Sequence, residues 1–438
     1  MTLMERVRAA EAEGSPFGAA GRRWMLDELK EEVARLVPGD MIARLSAENP
    51  RRARSELKSA CMKVFATGRW AHRSVESKER LVVELLDTVF GLGPLQPYID
   101  DPAVTEVMVN GTSSIYVERA GTLERVAPMF SDVAHVRALI DRILAPLGRR
   151  VDESSPMVDA RLPSGHRVNV VIPPLAVDGP AITIRKFTER AMTLEQMQEM
   201  GSFDARVTQL LMWAVQARKN VAVCGGTGSG KTTLLNALSC TISPLERIVT
   251  IEDSAELRFT EHPHVVRMEA RPRNAEGVGE VTIRDLVRNA LRMRPDRIIV
   301  GECRGAEALD MLQAMNTGHD GSLTTLHANS PEDMVMRLVT MVRYGLDLPV
   351  DVIESNIASA LDLVVQTARF RDGRRFVTQI AQVERGSVDA LCRVVPLFER
   401  RGLDSSGSWS KAPDWIEAAV ESKALTREEV GEWMRACF

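Results

Sequence analysis

The residues with the clearest capacity for chemistry form a glycine-rich loop that ends in lysine and threonine. The stretch fits the pattern G-x-x-x-x-G-K-[ST] at every position and comprises Gly225, Gly226, Thr227, Gly228, Ser229, Gly230, Lys231 and Thr232. In such a loop the lysine reaches the β- and γ-phosphates of a nucleotide, and the threonine hydroxyl ligates Mg²⁺. The following residue, Thr233, joins the candidates for nucleotide binding. The pattern predicts a site for ATP with Mg²⁺, and the alternative is an ordinary glycine turn.

The segments on either side of the loop decide between these alternatives. Residues 220–224 are typical of a short buried strand, and residues 233–238 are typical of the first turns of a helix. A helix N-terminus presents unpaired backbone N–H groups and the positive end of its dipole to an anion. Glycines permit positive φ and leave no Cβ between the backbone and the ligand. Strand, loop and helix together favour the phosphate site.

Two carboxylates stand at the ends of apolar stretches and are candidates for handling metal and water. Glu302 ends residues 297–302, as a Walker B strand requires, although Gly301 stands where an aspartate is common. We predict that Glu302 serves Mg²⁺ through a metal-bound water. Glu252 ends a second apolar stretch, residues 248–252, and is placed to orient the attacking water. Which of the two acids is the general base stays open.

A histidine ends a third stretch of this kind. His327 follows residues 322–326, which are interpreted as a strand, and we expect it beside the γ-phosphate position, where an imidazole senses which nucleotide is present. Singly, an acid at a strand tip is often a helix cap, and a histidine there is often only hydrogen-bonded. Three such stretches after a complete glycine loop favour an active site instead.

Composition excludes several classes of protein. The chain has 438 residues, 45% of them apolar, and a formal net charge of −4 with a pI near 6.1. This charge gives no reason to expect nucleic acid as a partner, and stripes of aromatic and basic residues for single strands are lacking. Six scattered cysteines without a C-x-x-C pair exclude the familiar zinc spacings and favour a reducing compartment. No apolar run reaches the length of a membrane span. We therefore expect a soluble, cytoplasmic protein unless a partner holds it elsewhere.

The chain is too long for one compact domain, and its patterns change along its length. Residues 1–70 predict a helical N-terminal region that is partly disordered, and residues 71–188 predict a separate α/β domain. Residues 189–202 are interpreted as a linker. Residues 203–398 are interpreted as the next domain, and from about residue 203 to 376 strands and helices alternate, which predicts a mostly parallel sheet. Residues 399–438 are interpreted as a helical C-terminal tail.

The glycine loop, the acids at 252–253, the Gly301-Glu302 pair and the histidine stretch together resemble the secretion ATPase superfamily. This superfamily contains the motors of type II and type IV secretion, of pili and of the archaellum. Residues 152–163 and 289–296 narrow the resemblance to the tight-adherence (Tad, or CpaF-like) pilus assembly ATPases. The similar region runs from about residue 75 to 376. The missing tetracysteine argues against the type II secretion branch.

The resemblance implies a RecA-like P-loop NTPase core, preceded by a PAS-like α/β domain whose arginines close on the phosphates of the nucleotide. The matching positions here are Arg161, Arg167 and Arg185, and Arg337 matches a further arginine near the site. It also implies a homo-hexamer that docks on polytopic platform proteins at the inner membrane. The implied function is Mg²⁺-dependent ATP hydrolysis that powers pilus assembly, and whether it also drives retraction stays open.

Three alternatives to pilus assembly are open at this stage. A type IV secretion motor that moves protein or DNA fits the core residues equally well. A RecA-like DNA translocase fits the glycine loop but not the acidic pI. A scaffold that binds ATP without turnover is disfavoured by the two placed acids.

Overall fold

The computed structural model describes residues 16–438 except 120, 128–129, 188–190, 260–261, 272, 274–277, 388–389 and 403–406, and side chains in helix residues 16–23 and at 47 and 390 are likewise outside the description. Disorder is predicted for the first twenty residues, and most of these lie outside the described residues. The chain forms two compact units, residues 1–187 and 188–438. In the described part of the chain no helix is both long and apolar enough to cross a membrane.

The first unit begins with a set of helices. They are α1 (Pro16–Leu36), α2 (Gly39–Glu48), α3 (Pro50–Phe65) and α4 (Val75–Phe90). The start of α3 follows from its sequence, because the Asn49 side chain accepts a hydrogen bond from Arg52 N at 3.1 Å and Pro50 occupies the first helical position. Leu29, Leu57 and Leu85 from three of these helices share one apolar core.

The rest of the first unit is a six-stranded antiparallel sheet in the order β3-β2-β1-β6-β5-β4. Its elements are α5 (Gln96–Asp100), β1 (Val104–Asn110), β2 (Ser114–Arg119), β3 (Thr122–Val126), α6 (Val133–Leu144), β4 (Met157–Arg161), β5 (Arg167–Val171) and β6 (Ala181–Arg185). Strand-like patterns in the sequence predict β1, β2, β5 and β6. They did not predict β3, whose side chains are almost all exposed and carry no apolar alternation. Buried residues of α6 pack with one face of the sheet.

The second unit is built on a nine-stranded sheet in the order β15-β14-β13-β12-β7-β11-β10-β8-β9. Its strands are β7 (Val221–Gly225), β8 (Ile248–Glu252), β9 (Val265–Glu269), β10 (Arg297–Cys303), β11 (Leu323–Leu326), β12 (Leu363–Arg369), β13 (Arg375–Ser387), β14 (Ala390–Glu399) and β15 (Ser408–Trp409). From β12 to β9 all neighbours are parallel, whereas β12 to β15 pair antiparallel. The expected mostly parallel sheet is confirmed.

Helices cover this sheet and divide its core into two apolar clusters. They are α7 (Leu194–Glu199), α8 (Ala205–Gln216), α9 (Lys231–Ser239), α10 (Ile283–Ala290), α11 (Glu307–Asn316), α12 (Pro331–Gly345), α13 (Val350–Ala360), α14 (Ile416–Glu421) and α15 (Arg427–Cys437). Cys303, which follows the Walker B glutamate, is buried in one cluster and behaves as a small apolar side chain.

Two segments that the sequence analysis set apart belong to the core of the second unit. The described part of the supposed linker contains α7, whose Leu194 and Met197 are buried in that core. The supposed C-terminal tail contributes Trp433, which stacks edge-on against Trp213 at 5.7 Å and donates a hydrogen bond to Arg206 O at 2.9 Å. Both segments carry apolar residues at helical spacing, and these residues are buried by packing into the core of the second unit.

Candidate active site at the glycine loop

The glycine loop joins a fully buried strand to a helix. All five residues of β7 are buried, and α9 begins at Lys231 directly after Gly230, whose φ is +97°. Gly225 has no room for a side chain, because a Cβ there would lie 2.4 Å from Thr367 O. A strand that must end in glycine, followed by a helix with free N–H groups, is the geometry that binds phosphate.

The loop lysine points into the loop. Lys231 is only 7% exposed, and its Nζ donates a hydrogen bond to Gly226 O at 2.9 Å. The same Nζ lies 3.5 Å from His327 Nδ1. Burial lowers the pKa of Lys231, and the nearby negative charge of Glu302 opposes this shift. The ammonium group thus stands where a phosphate would be enclosed by the loop, held by a carbonyl that an anion can replace.

The structure brings the predicted histidine and Walker B glutamate into direct contact. His327 Nε2 lies 2.7 Å from Glu302 Oε1. Because Nδ1 faces the Lys231 ammonium, the arrangement assigns the proton to Nε2, on the side of the carboxylate, although Glu302 Oε1 has no hydrogen-bond partner of suitable geometry. Burial lowers the pKa of His327, and the charge of Lys231 lowers it further. A neutral imidazole therefore links the loop lysine to the carboxylate expected near Mg²⁺.

Sequence reasoning missed a second partner of this glutamate. Arg304 Nη2 lies 2.5 Å from Glu302 Oε2, and Arg304 Nη1 lies 4.0 Å from Asp253 Oδ2. Asp253 directly follows β8, so one guanidinium connects the acidic ends of two neighbouring strands. The available signal was a single arginine two residues after the Walker B glutamate. The site therefore contains a chain of contacts in the order Asp253, Arg304, Glu302, His327 and Lys231, in which the charges alternate in sign and the neutral imidazole stands between the last two.

Glu252 occupies a different environment from Glu302. It is 3% exposed, and its Oε2 accepts hydrogen bonds from Glu256 N at 2.7 Å and Leu257 N at 2.9 Å. Its buried Oε1 has no hydrogen-bond partner, as is also true of Glu302 Oε1, so burial and the two backbone N–H groups are what distinguish Glu252. Burial raises the pKa of Glu252, and the two backbone N–H groups oppose this shift. A buried carboxylate with one oxygen unpaired is suited to accept a proton from water, as a general base requires.

The same region explains the departure from the usual Walker B ending. A Cβ at position 301 would lie 2.8 Å from Glu252 Cγ, closer than real Cβ contacts allow. An aspartate at this position would displace the buried glutamate of the neighbouring strand. Gly301 thus makes room for Glu252, because a side chain at position 301 would occupy the space of that glutamate.

The residues around the loop fit a Mg²⁺-nucleotide. The loop supplies an ammonium group and a helix N-terminus for phosphate, while Thr232 is half-buried at the start of α9 and Thr233 is exposed. Among the described residues no group of three acidic, histidine or cysteine side chains could hold a metal by itself. Mg²⁺ commonly takes one or two protein ligands and completes its shell with nucleotide oxygens and water. Thr232 and Glu302 are the residues here that would serve it.

The arginines expected from the family resemblance share one row of the first unit's sheet. The strand register pairs Arg161 with Arg167 and Arg167 with Arg185, so all three are neighbours across β4, β5 and β6. Arg185 Nε lies 3.8 Å from Glu106 Oε1, on the next strand. That they close on phosphates stays a prediction.

Arg337 is the remaining arginine of the expected set. It is exposed on α12, and its positive charge is one of the influences that lower the pKa of His327. The structure therefore places Arg337 within electrostatic reach of the histidine.

Taken together, the parallel sheet and glycine loop define a P-loop protein. The sequence profile of the family described as Type II/IV secretion system protein matches residues 89–386. A Mycobacterium tuberculosis protein named for conjugal transfer is 41% identical over 297 residues, which cover 66% of this chain and 84% of that protein. The type IV secretion system protein VirB11 of Brucella suis is 35% identical over 303 residues, which cover 63% of this chain and 84% of that protein.

A solved structure gives a further likeness. The crystal structure of the VirB11 ATPase from the Brucella suis type IV secretion system, in complex with sulphate, covers 66% of this chain and 96% of its own, with 32% identity and a TM-score of 0.37. The extent of the profile match and the identity to these relatives decide the family. The chain belongs to the type II/IV secretion system protein family.

Proposed function

We propose that this protein is a Mg²⁺-dependent ATPase that powers a type IV secretion machine and moves protein or DNA. The observation that carries the proposal is the unbroken chain of contacts from Lys231 through His327 to Glu302 beside a complete glycine loop. Relatives named for conjugal transfer and type IV secretion favour secretion over the pilus assembly expected from the sequence. The second unit would be a RecA-like core.

The site residues divide the chemistry of hydrolysis among them. Bound Mg²⁺ would neutralise charge on the β- and γ-phosphate oxygens. Lys231 and the N–H groups of the loop orient the triphosphate, and Glu252 takes the proton from the attacking water at its unpaired Oε1. His327 is neutral and lies against Glu302 at 2.7 Å, so it keeps that carboxylate beside the lysine. Arg304 balances the charge of Glu302 from the other side.

The assembly part of the proposal follows the family. We infer a homo-hexamer that is cytoplasmic and peripheral at the inner membrane, where it docks on polytopic platform proteins. Arg161, Arg167 and Arg185 are the residues proposed to stabilise phosphate charge in such a ring. Arg337 is proposed to contribute from the second unit.

Pilus assembly of the tight-adherence type is the second candidate. The observation that favours it is the helical region of residues 16–90, which lies almost entirely before the family match begins at residue 89. A motor of either kind would use the same nucleotide site. The two candidates differ in the substrate that is moved.

The test is the Lys231→Ala variant, compared with wild type and with Lys58→Ala, which changes an exposed lysine of α3. We expect Lys231→Ala to lower ATP turnover by about 10²-fold or more, because a donor to the transferring phosphoryl group is lost. Lys58→Ala should leave turnover unchanged. Near-normal turnover of Lys231→Ala would contradict the ATPase proposal.

Cells that carry Lys231→Ala in place of the native gene separate secretion from pilus assembly. Loss of transferred DNA or secreted protein, with surface pili intact, supports the secretion proposal. Loss of pili with secretion intact supports the second candidate. Strong stimulation of turnover by single-stranded DNA would favour the translocase alternative.

A further inference from the structure

A hairpin far along the chain contacts the outside of the glycine loop. It consists of β12 and β13, and β12 lies beside β7 with Thr367 paired to Gly225. The Thr367 hydroxyl lies 2.8 Å from Ser229 Oγ and donates a hydrogen bond to Cys224 O at 3.1 Å. Thr367 therefore connects the end of β7 to the middle of the glycine loop.

Two arginines of the same hairpin also meet the loop. Arg375 Nε donates a hydrogen bond to Gly228 O at 2.9 Å, and a Cβ at Gly230 would lie 3.3 Å from Arg375 Cδ. A Cβ at Gly228 would lie 3.4 Å from Arg369 Nη1. Arg369 and Arg375 are directly paired across the hairpin. Both guanidinium groups thus lie against the glycines that shape the phosphate site.

The bond to Gly228 O determines where the next N–H group points. A trans peptide places its C=O and N–H on opposite sides, so a carbonyl held by Arg375 directs Ser229 N–H the other way. Ser229 N lies 3.4 Å from Gly226 O, the carbonyl oxygen that also accepts a hydrogen bond from Lys231 Nζ. At 3.4 Å the hydrogen bond is long, and a phosphate oxygen that approaches Ser229 N would offer this donor a shorter one.

Charge acts in the same direction as geometry. Arginine stays protonated at any physiological pH, so Arg369 and Arg375 add two fixed positive charges behind the loop. These add to Lys231 and to the positive end of the α9 dipole. The hairpin therefore both orients a donor of the loop and raises the attraction of the site for a polyphosphate.

We propose that Arg375 is a positioning residue for the nucleotide triphosphate: it anchors Gly228 O so that Ser229 N–H faces the phosphates, with Arg369 beside it as a second positive charge. This inference rests on the proposed ATP site. Because Arg375 touches the loop and not the reacting atoms, its removal weakens binding of the nucleotide and leaves the chemical step largely intact.

The test measures binding and turnover of the full chain separately. Calorimetry with a non-hydrolysable ATP analogue and Mg²⁺ gives Kd, and steady-state assays give KM and kcat. For Arg375→Ala we expect Kd and KM to rise about tenfold, the effect of losing one charge-assisted hydrogen bond, with kcat within about twofold of wild type. Arg375→Lys keeps charge and one donor and should recover most of the affinity. Arg375→Gln keeps a hydrogen-bond donor without the charge, and its affinity for the analogue should lie between those of Arg375→Ala and Arg375→Lys.

Arg371→Ala is the matched control, because it removes an exposed arginine at the tip of the same hairpin. It should bind the analogue as wild type does. The inference is overturned if Arg375→Ala binds within twofold of Arg371→Ala, or if kcat falls while Kd stays the same. Thermal melting without nucleotide should agree among the variants, and a large drop confined to Arg375→Ala and Arg375→Gln would assign the residue to folding instead. Lys231→Ala separates the two proposals: if it keeps normal turnover, the ATP site itself is refuted, whatever Arg375 does.

Discussion

Gly301→Ala tests whether the Walker B glycine exists to make room for Glu252. The added Cβ would lie 2.8 Å from Glu252 Cγ and 3.5 Å from its Cβ and Oε2. Glu252 resists moving aside, because its Oε2 is held by Glu256 N and Leu257 N. Overpacking of this kind typically costs about 1–3 kcal/mol in the free energy of unfolding. We also expect turnover to fall, since the proposed base is displaced.

A double-mutant cycle gives the sharper result. In a Glu252→Ala background the Cγ is gone, and the closest remaining glutamate atom, Cβ, lies at an ordinary contact distance of 3.5 Å. The same Gly301→Ala change should then cost less than about 0.5 kcal/mol, the usual effect of a substitution without a specific mechanism. The coupling free energy between the two positions is therefore expected to be about 1–3 kcal/mol.

The assay is urea unfolding of the four proteins without nucleotide, followed by tryptophan fluorescence, which reports on Trp213 and Trp433 in the second unit's core. The midpoints can be compared directly when the unfolding free energy of all four proteins depends equally steeply on urea concentration. An equal cost of Gly301→Ala in both backgrounds would refute the claim that Glu252 needs this space. Normal turnover of Gly301→Ala alone would refute the role of Glu252 as base.

Two further predictions concern the charged chain at the site. Glu302→Gln should raise the Mg²⁺ concentration for half-maximal turnover about tenfold or more, because an outer-shell carboxylate is lost, and an unchanged Mg²⁺ titration would exclude Glu302 from the metal. The pKa of His327 is lowered by burial and by Lys231, so the unfolded chain, with a histidine pKa near ~6.5, binds the proton more readily. The stability contributed by neutral His327 is thus present above about pH 6.5 and is lost as the pH falls below that value. The urea midpoint of the wild type should therefore decline between about pH 7 and 5, and His327→Gln should make this decline shallower. Identical pH slopes in both proteins would contradict this assignment.

The elements that carry the site were predictable because each is local in sequence. The strands β7, β8 and β10 are short apolar runs that end in glycine or acid, and a period-2 or continuous apolar pattern identifies such runs. Parallel strands bring their C-terminal ends to one edge of a sheet, so Glu252, Glu302 and the loop meet there. The contact of His327 with Lys231 follows from the same topology.

What sequence reasoning missed depends on contacts between distant residues. Arg375 reaches Gly228 from 147 positions away, and no local pattern marks a surface arginine as a partner of the loop. The clash that explains Gly301 arises between neighbouring strands and involves a side chain 49 residues earlier. The antiparallel strands β13 and β14 continue the sheet beyond the alternating part of the sequence, where periodicity alone does not show which strand they join.

The two outermost strands of the large sheet limit how copies of this protein can associate. One border is β15, which is only two residues long, and the other is β9, whose outer positions include the exposed charged residues Arg267 and Glu269. Short or charged border strands are poor templates for backbone pairing with another chain. In a ring of subunits the large sheet would then not continue from one copy to the next, and its borders would contribute contacts between side chains. Such contacts can slide and repack during each cycle of nucleotide binding, whereas a continuous hydrogen-bonded sheet would have to break.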